Sequence, residues 1–148
     1  MMTNLVPVNM PLVTYLHPWL SQLEANAYQV TIKLRHQSNP DMSVHPHPVD
    51  IRLVRTIDKG WFIESIQVLS EEVNSQGVTQ PNLNFNFLHN QFRQPDMGVV
   101  ELSHPKVQEL YITWQKTLMR QLNDALYGDI SIDVTKALSP LMARFYQL

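Results

Sequence analysis

Residues 45–69 contain two apolar, β-branched segments separated by Asp58-Lys59-Gly60. A short polar turn that ends in glycine, placed between two such segments, is typical of a β-hairpin, because glycine readily adopts a positive φ. In the second segment, residues 61–68, both alternating sets of side chains are largely apolar, which is typical of a central strand. This stretch therefore predicts a domain built on an antiparallel sheet.

Other segments alternate between apolar and polar residues, as half-buried strands do. They are residues 28–36, 82–87 and 130–134, with a further short strand over residues 99–102, whereas residues 71–81 and 88–98 are predicted to be loops. Helical spacing of apolar residues predicts one helix over residues 12–23 and a longer one from Pro105 to Tyr127, capped by Ser103 or His104. Ser139-Pro140 predicts the start of a short C-terminal helix.

This order of elements, with helices separated from a run of hairpin-connected strands, predicts an α+β fold. We expect a single domain over residues 1–148, with a core over about residues 12–135 and an amphipathic tail over residues 136–148. The predicted architecture is a curved antiparallel sheet of about five strands packed on one long helix. It is an α/β roll of the cystatin or NTF2-like kind, with an N-terminal helix and a short C-terminal helix.

Composition excludes several functional classes. Eleven Lys and Arg residues nearly balance thirteen Asp and Glu residues, so no global field attracts the chain to nucleic acid or to anionic lipid. The chain has no cysteine, which excludes disulfides, a thiolate nucleophile and Cys-ligated metal sites. The first 32 residues contain no Lys or Arg, and prolines interrupt their apolar stretch, so we expect no membrane span and a cytoplasmic protein. No phosphate loop, dinucleotide fingerprint or G-x-S-x-G motif is present, so we expect no cofactor.

Residues 47–52 read His-Pro-Val-Asp-Ile-Arg, and they are followed by Trp61 with its strand, by LNFNF at residues 83–87 and by the long helix. With these features the chain resembles short bacterial proteins of unknown function that are common in vibrios, in related gammaproteobacteria and in mobile gene cassettes. In that family a His-Pro-Val-Glu-Ile-Arg segment leads into a hairpin, so Asp50 replaces the usual Glu. The Gly-rich loop that precedes this segment in the family is absent here. The resemblance covers about residues 28–132 and implies an α+β roll with no assigned activity.

His45 and His47 are the candidate metal ligands. On a strand, two residues at this spacing would place both imidazoles on one face, as in H-x-H metal sites. However, Pro46 and Pro48 favour polyproline II, whose period of three residues points the two side chains in different directions. We therefore expect a rigid loop with local hydrogen bonds and no metal site.

Glu64 is the candidate catalytic residue. It lies between Phe62 and Ile66, on what would be a buried face, where a carboxylate needs a partner. If a cavity lies beside it, Glu64 could act as a general acid or base, with His47 and Asp50 as further candidates. The alternative is that this face is not the buried one, or that an arginine pairs with the carboxylate.

Two surfaces are candidates for binding. The polar side of the predicted sheet would suit single-stranded nucleic acid or an acidic peptide, although a net charge of −2 favours an ordinary solvated face. Its candidate residues are Lys33, Arg35, Arg52, Trp61 and Gln67. The tail is more apolar than a free tail should be, so it either folds back onto the core or docks into a partner or a second copy of the chain. Its apolar residues are Leu141, Met142, Phe145, Tyr146 and Leu148.

These observations lead to three functional hypotheses. The first is a small non-enzymatic protein-interaction protein or accessory factor of mobile elements, with a homodimer as one expected form and with the sheet face and the tail as contact surfaces. The second is a ligand-binding protein or enzyme with a cavity near Glu64. The third is a protein that binds single-stranded nucleic acid through the basic residues of the sheet face.

Overall fold

The structure, a computed structural model, describes residues 7–36, 46–56, 60–73, 79–139 and 141. A 3-10 turn at Pro7–Asn9 leads into α1, and the other elements follow in the order of the chain. They are α1 (Met10–Leu20), β1 (Ala27–Arg35), β2 (Val49–Thr56), β3 (Gly60–Val73), β4 (Thr79–Asn86), β5 (Gln91–Gln94), β6 (Gly98–Glu101), α2 (Pro105–Asn123) and β7 (Asp129–Ala137).

All the described strands form one antiparallel sheet in the order β6-β5-β4-β3-β2-β1-β7. The α+β class is confirmed, but the sheet is open and uncurled and has seven strands, whereas we predicted a curved roll of about five. The loop predicted over residues 88–98 contains β5, which has one buried apolar residue, Phe92. Such a strand has no apolar pattern of its own, and its pairing with β4 and β6 holds it in place.

The core lies between one face of the sheet and the two helices. The alternation predicted for β1 is confirmed, because Val30, Ile32 and Leu34 are fully buried. They pack in one cluster with apolar residues of both helices and of the neighbouring strands. The cluster includes Leu12, Leu16 and Leu20 from α1, Tyr111, Leu118 and Leu122 from α2, and Ile51, Leu53, Ile66 and Phe85 from the sheet.

Aromatic side chains fill the space between β4 and α2. Phe85 and Phe87 are fully buried, and the ring centroid of Phe85 lies 4.9 Å from that of Tyr111 and 5.4 Å from that of Trp114. Phe92 stacks on Phe85 from the neighbouring strand, with centroids 5.1 Å apart. Aromatic pairs at these distances stabilise a core beyond the effect of burial alone. The predicted packing of the long helix across the sheet is therefore confirmed.

The N-terminus of α2 is capped as the sequence predicted. The Nδ1 atom of His104 accepts a hydrogen bond from the backbone N–H of Lys106 at 3.2 Å. The helix ends at Asn123, short of the predicted Tyr127, because Ala125 has a φ of +57° and breaks the helical hydrogen bonding. Leu110, one of the apolar residues whose helical spacing predicted α2, is 43% exposed and does not join the core.

Gly60, the end of α1 and the C-terminus differ in how well they match the predictions. Gly60 has the predicted positive φ, at +73°, although residues 57–59 lie outside the described residues. α1 includes Pro18 and ends at Leu20, before the predicted Leu23. The predicted C-terminal helix falls largely outside the described residues, and Leu141 is 74% exposed. Neither described α-helix combines the length and hydrophobicity of a membrane-spanning segment.

Candidate functional site

The face of the sheet that points away from the core cluster is called the open face here. Within the described ranges, the buried residues of both helices pack on the opposite face, so neither helix covers the open face. Strand register places its polar side chains in two neighbouring rows across β1 to β5. One row contains Thr31, Arg52, Ser65 and Asn86, and the other contains Lys33, Asp50, Gln67, Asn84 and Arg93.

The two rows enclose a small polar depression in the middle of the open face. Its volume is about 180 Å³, which is enough for one polar side chain or a small polar molecule. The polar depression is lined by Thr31, Asp50, Arg52, Glu64, Ser65, Gln67, Asn84 and Asn86. Four of the residues that the sequence predicted for separate sites, Asp50, Arg52, Glu64 and Gln67, therefore lie together at one site.

A β-bulge places Glu64 in the polar depression. Ser65 pairs with Arg52 and Ile63 pairs with Leu53, so Glu64 is an extra residue between two consecutive pairs. The predicted alternation of β3 is therefore wrong at this point, because the bulge shifts it by one residue. Glu64 shares the open face with Ser65, whereas Ile66 points into the core.

An amide, not an arginine, contacts the Glu64 carboxylate. The Nε2 atom of Gln29 donates a hydrogen bond to Glu64 Oε2 at 3.0 Å. The Gln29 Oε1 atom in turn accepts from the Thr135 hydroxyl at 2.9 Å, and Gln29 itself is only 8% exposed. This chain of hydrogen bonds runs from β7 across β1 to β3. It fixes the position of one Glu64 oxygen at the edge of the polar depression.

Arg35 holds the second carboxylate of the site. Its Nη2 atom lies 2.8 Å from Asp50 Oδ1, and its Nη1 atom donates to the backbone carbonyl of Val49 at 3.2 Å. The two side chains of the ion pair are 32% and 25% exposed. Arg35 therefore orients Asp50 and is not itself free to bind a partner.

The open face carries side chains with unused hydrogen-bonding groups. Within the described part of the chain, no hydrogen bond or ion pair engages the side chains of Arg52, Gln67 or Asn84. Arg52 is also exposed, so its guanidinium presents its donors to solvent. These groups are available to a molecule that lies on the open face.

The charges of the open face nearly cancel. Lys33 pairs with Asp133 at 3.0 Å, and Arg35 pairs with Asp50, so two of its cations are already compensated. Glu64 adds a further negative charge beside Arg52 in the polar depression. The face is therefore polar but not strongly basic, which differs from the surfaces that bind nucleic acid backbones.

We predicted that Trp61 shares a sheet face with Arg52 and Gln67, and this prediction is wrong. Because of the bulge at Glu64, it lies on the core side of β3, where it packs against the core cluster. The guanidinium of Arg55 lies 4.7 Å from the centre of its ring. Trp61 therefore has a structural contact, and it is not part of the site.

His47 is exposed and does not line the polar depression. Its backbone carbonyl accepts a hydrogen bond from the Tyr127 hydroxyl at 2.7 Å. His45, Phe145 and Tyr146 lie outside the described residues. Within the described ranges, no three His, Cys, Asp or Glu side chains come together as a metal site requires.

Sequence reasoning missed several residues of the polar depression. Asn84 and Asn86 alternate with Leu83 and Phe85, and we used this pattern only to predict the core. The polar half of the same pattern was the signal that places both amides on the open face. No sequence signal marks the bulge at Glu64.

Comparisons with known proteins identify a family. A family model described as "Protein of unknown function (DUF2787)" matches residues 10–133, which confirms the resemblance to bacterial proteins of unknown function. No protein with a curated description matches the chain.

Two solved structures from Vibrio cholerae have a similar fold. One is a hypothetical protein of the VSP-II pathogenicity island, with 23% identity, a TM-score of 0.69, and coverage of 86% of this chain and 94% of that chain. The other is a conserved hypothetical protein of pathogenicity island VPI-2, described as sharing structural homology with the human P32 protein. It has 24% identity, a TM-score of 0.68, and coverage of 86% of this chain and 95% of that chain. At these identities the similarity concerns the fold alone.

Proposed function

The chain belongs to the family of proteins of unknown function DUF2787, and from its open face we propose that it is a non-enzymatic protein-interaction factor. The observation that carries the proposal is the set of unengaged polar groups around the polar depression. Arg52, Gln67 and Asn84 present donors and acceptors that, among the described residues, no protein group uses. Their strands are central in the sheet, so the groups are held on a rigid scaffold.

The chemistry of these groups suggests the kind of partner. A free guanidinium binds a carboxylate through two parallel hydrogen bonds, and side-chain amides bind backbone N–H and C=O groups. A protein segment that inserts one Asp or Glu side chain toward Arg52, with its backbone against Gln67 and Asn84, would satisfy all three residues. The Asp50 and Glu64 carboxylates would disfavour a second acidic side chain at the same place.

The genomic context of similar proteins supports the accessory role. Both proteins whose solved structures have a similar fold come from pathogenicity islands of Vibrio cholerae. We extend this to the present chain as a proposal that it serves a mobile element by binding one of the proteins encoded there. The amphipathic tail, residues 136–148, remains a second proposed contact surface through its apolar residues from Leu141 to Leu148.

Site-specific photo-crosslinking tests the interaction in two steps. A photoreactive residue in place of Gln67 should capture a partner in cells, whereas the same residue in place of exposed Leu110, on α2, should not. The purified partner should then bind the Arg52→Ala variant at least about tenfold more weakly than the wild type, because a desolvated charge-assisted pair is lost. Lys106→Ala, at the exposed start of α2, is the matched control and should bind normally. Capture of the same protein at both positions, or normal binding by Arg52→Ala, would refute the proposal.

The second candidate function is the binding or conversion of a small polar molecule. It is favoured by one observation, namely that two carboxylates, Asp50 and Glu64, line the same polar depression. In a screen of small polar compounds by NMR, a ligand of this site should shift the backbone amide signals of Ser65 and Asn84, and Glu64→Gln should weaken its binding. A screen in which no compound shifts these signals would argue against this candidate.

Binding of single-stranded nucleic acid is the least supported function, because the charges of the open face nearly cancel. If it occurs, a mobility shift at low salt should weaken as salt is raised, and the Arg35→Ala/Arg52→Ala double variant should reduce it. We expect no shift for the wild-type protein.

A further inference from the structure

The edge strand β7 has features that the proposed function does not use. This strand of nine residues pairs with β1 on one side, and no other described strand pairs with it. The opposite edge strand, β6, has only four residues, and short edge strands are one way in which proteins prevent unwanted pairing. β7 therefore presents the longer row of backbone hydrogen-bonding groups without a described partner.

Side chains do not protect the middle of this edge, over residues 130–134. On the core side, Ile130 and Ile132 are only half-buried and Val134 is 49% exposed, so apolar surface continues to the rim of the sheet. On the open face, the charge of Asp133 is compensated by Lys33 at 3.0 Å. Charges that point outward from an edge strand normally discourage pairing, and here the compensation weakens that effect.

We propose that β7 pairs antiparallel with β7 of a second copy of the chain, with Ile132 facing Ile132 of the second copy. A two-fold axis perpendicular to the sheet then relates the copies. The two sheets continue into each other, both pairs of helices lie on the same side, and the two open faces form one continuous polar surface. The dimer goes beyond the proposed function because it would double the polar surface that binds the partner.

The side chains select this register. Centred on Ile132, the pairing places Ile130 opposite Val134 and Ser131 opposite Asp133 of the second copy, so apolar residues face apolar ones. Centring on Asp133 would bring two carboxylates face to face, which is destabilising. Centring between two residues would place apolar side chains opposite polar ones.

The next register along the strand, centred on Val134, is also disfavoured. It would place Ile132 opposite Lys136 of the second copy. It would also use the end of β7 where pairing with β1 becomes irregular, near Gln29 and Val30. The register centred on Ile132 uses the regular part of the strand.

Cysteine cross-linking tests the register, because the natural chain has no cysteine. In the otherwise unchanged chain, Ile132→Cys should form a disulfide-linked dimer under mild oxidation, since directly opposed strand residues have Cα atoms about 5 Å apart. Val134→Cys lies on the same side of the same strand, but two copies of it would be about 14 Å apart, too far for a disulfide. A mixture of Ile130→Cys and Val134→Cys should give the mixed dimer.

A charge substitution tests the same pairing without a covalent bond. Ser131→Asp would face Asp133 of the second copy at two symmetric places, so the dimer dissociation constant should rise roughly tenfold. Within one chain Ser131 is exposed and lies beside Lys33, so the substitution should leave folding intact. Ser131→Asn is the neutral control and should dimerise normally.

Three results would overturn the inference. One is a wild-type chain that sediments as a monomer at about 100 μM, well above the dissociation constants of weak specific dimers. This is also the result expected if residues 140–148 of the same chain cover the edge of β7. The others are equal cross-linking of Val134→Cys and Ile132→Cys, and an unchanged dissociation constant for Ser131→Asp. None of them affects the crosslinking test at Gln67, so the two proposals fail independently.

Discussion

A buried polar cluster connects the start of α1 to α2, and its removal should destabilise the fold by a predictable amount. The hydroxyl of Tyr111 donates a hydrogen bond to the side-chain oxygen of Asn9, 102 residues away in sequence. The Nε2 atom of Gln115 donates to the same oxygen at 3.3 Å and to the Tyr111 hydroxyl at 3.2 Å. The exposed fractions of Asn9, Tyr111 and Gln115 are 4%, 0% and 6%. Water therefore cannot replace the partners of these groups.

Tyr111→Phe and Asn9→Ala should lower the free energy of unfolding by different amounts. Tyr111→Phe removes one donor but leaves Gln115 bonded to Asn9, so the free energy of unfolding should fall by about 1–2 kcal/mol. Asn9→Ala leaves the buried phenol hydrogen without an acceptor, and it should cost about 2–3 kcal/mol. The double variant should cost about 1–2 kcal/mol less than the sum, because the orphaned phenol is removed with its partner.

Urea unfolding at neutral pH measures these free energies, with an unchanged m-value as the condition for comparing them. Tyr15→Phe is the matched control. The Tyr15 hydroxyl donates to the carbonyl of Leu122 at 3.2 Å from a half-buried position, so water can replace it and the cost should stay below about 1 kcal/mol. Additive effects of Asn9→Ala and Tyr111→Phe, or a Tyr111→Phe cost no larger than that of the control, would refute the reasoning.

Three further predictions concern single contacts. Burial raises the pKa of Tyr111 and of Tyr127, so the folded protein retains phenolic protons that the unfolded chain releases above about pH 10. The contribution of these two groups to the free energy of unfolding should therefore be fully present below about pH 10 and should be lost as pH rises further. Tyr127→Phe should make this fall less steep, as measured by urea unfolding between about pH 9 and 11. Arg55 donates hydrogen bonds to the backbone carbonyls of Ala25, in the α1–β1 loop, and of Ala27, the first residue of β1. Arg55→Ala should therefore lower the free energy of unfolding by about 1–2 kcal/mol in urea unfolding, whereas exposed Arg52→Ala should change it by less than about 0.5 kcal/mol; equal effects would contradict this. Gly60→Ala should lower the free energy of unfolding by about 1 kcal/mol. The cause is the φ of +73° alone, because nothing lies within 4 Å of the added Cβ. A thermal melt that matches the wild type would contradict this prediction.

Local patterns predicted most of the core. The alternation in β1, the positive φ of Gly60 and the cap at His104 are all confirmed. Each depends on residues that are close in sequence, because strand alternation, turn geometry and helix capping are set within a few positions. The candidate site was predicted only in pieces. Asp50 and Glu64 were assigned to one hypothesis and Arg52 and Gln67 to another.

The sequence by itself determined that the chain forms an α+β domain, that β1 alternates, and where α2 begins, because those properties follow from the period of the apolar residues and from a cap within a few positions. Only the tertiary structure decided that β5 is a strand, because pairing with β4 and β6 holds it in place and its own sequence has no apolar alternation. Only the pairing of β2 with β3 decided that Glu64 is the extra residue of a bulge, which places it in the polar depression and moves Trp61 to the core side. The physical reason is that strand register depends on the neighbouring strand, and one additional residue reverses the faces of all the residues beyond it.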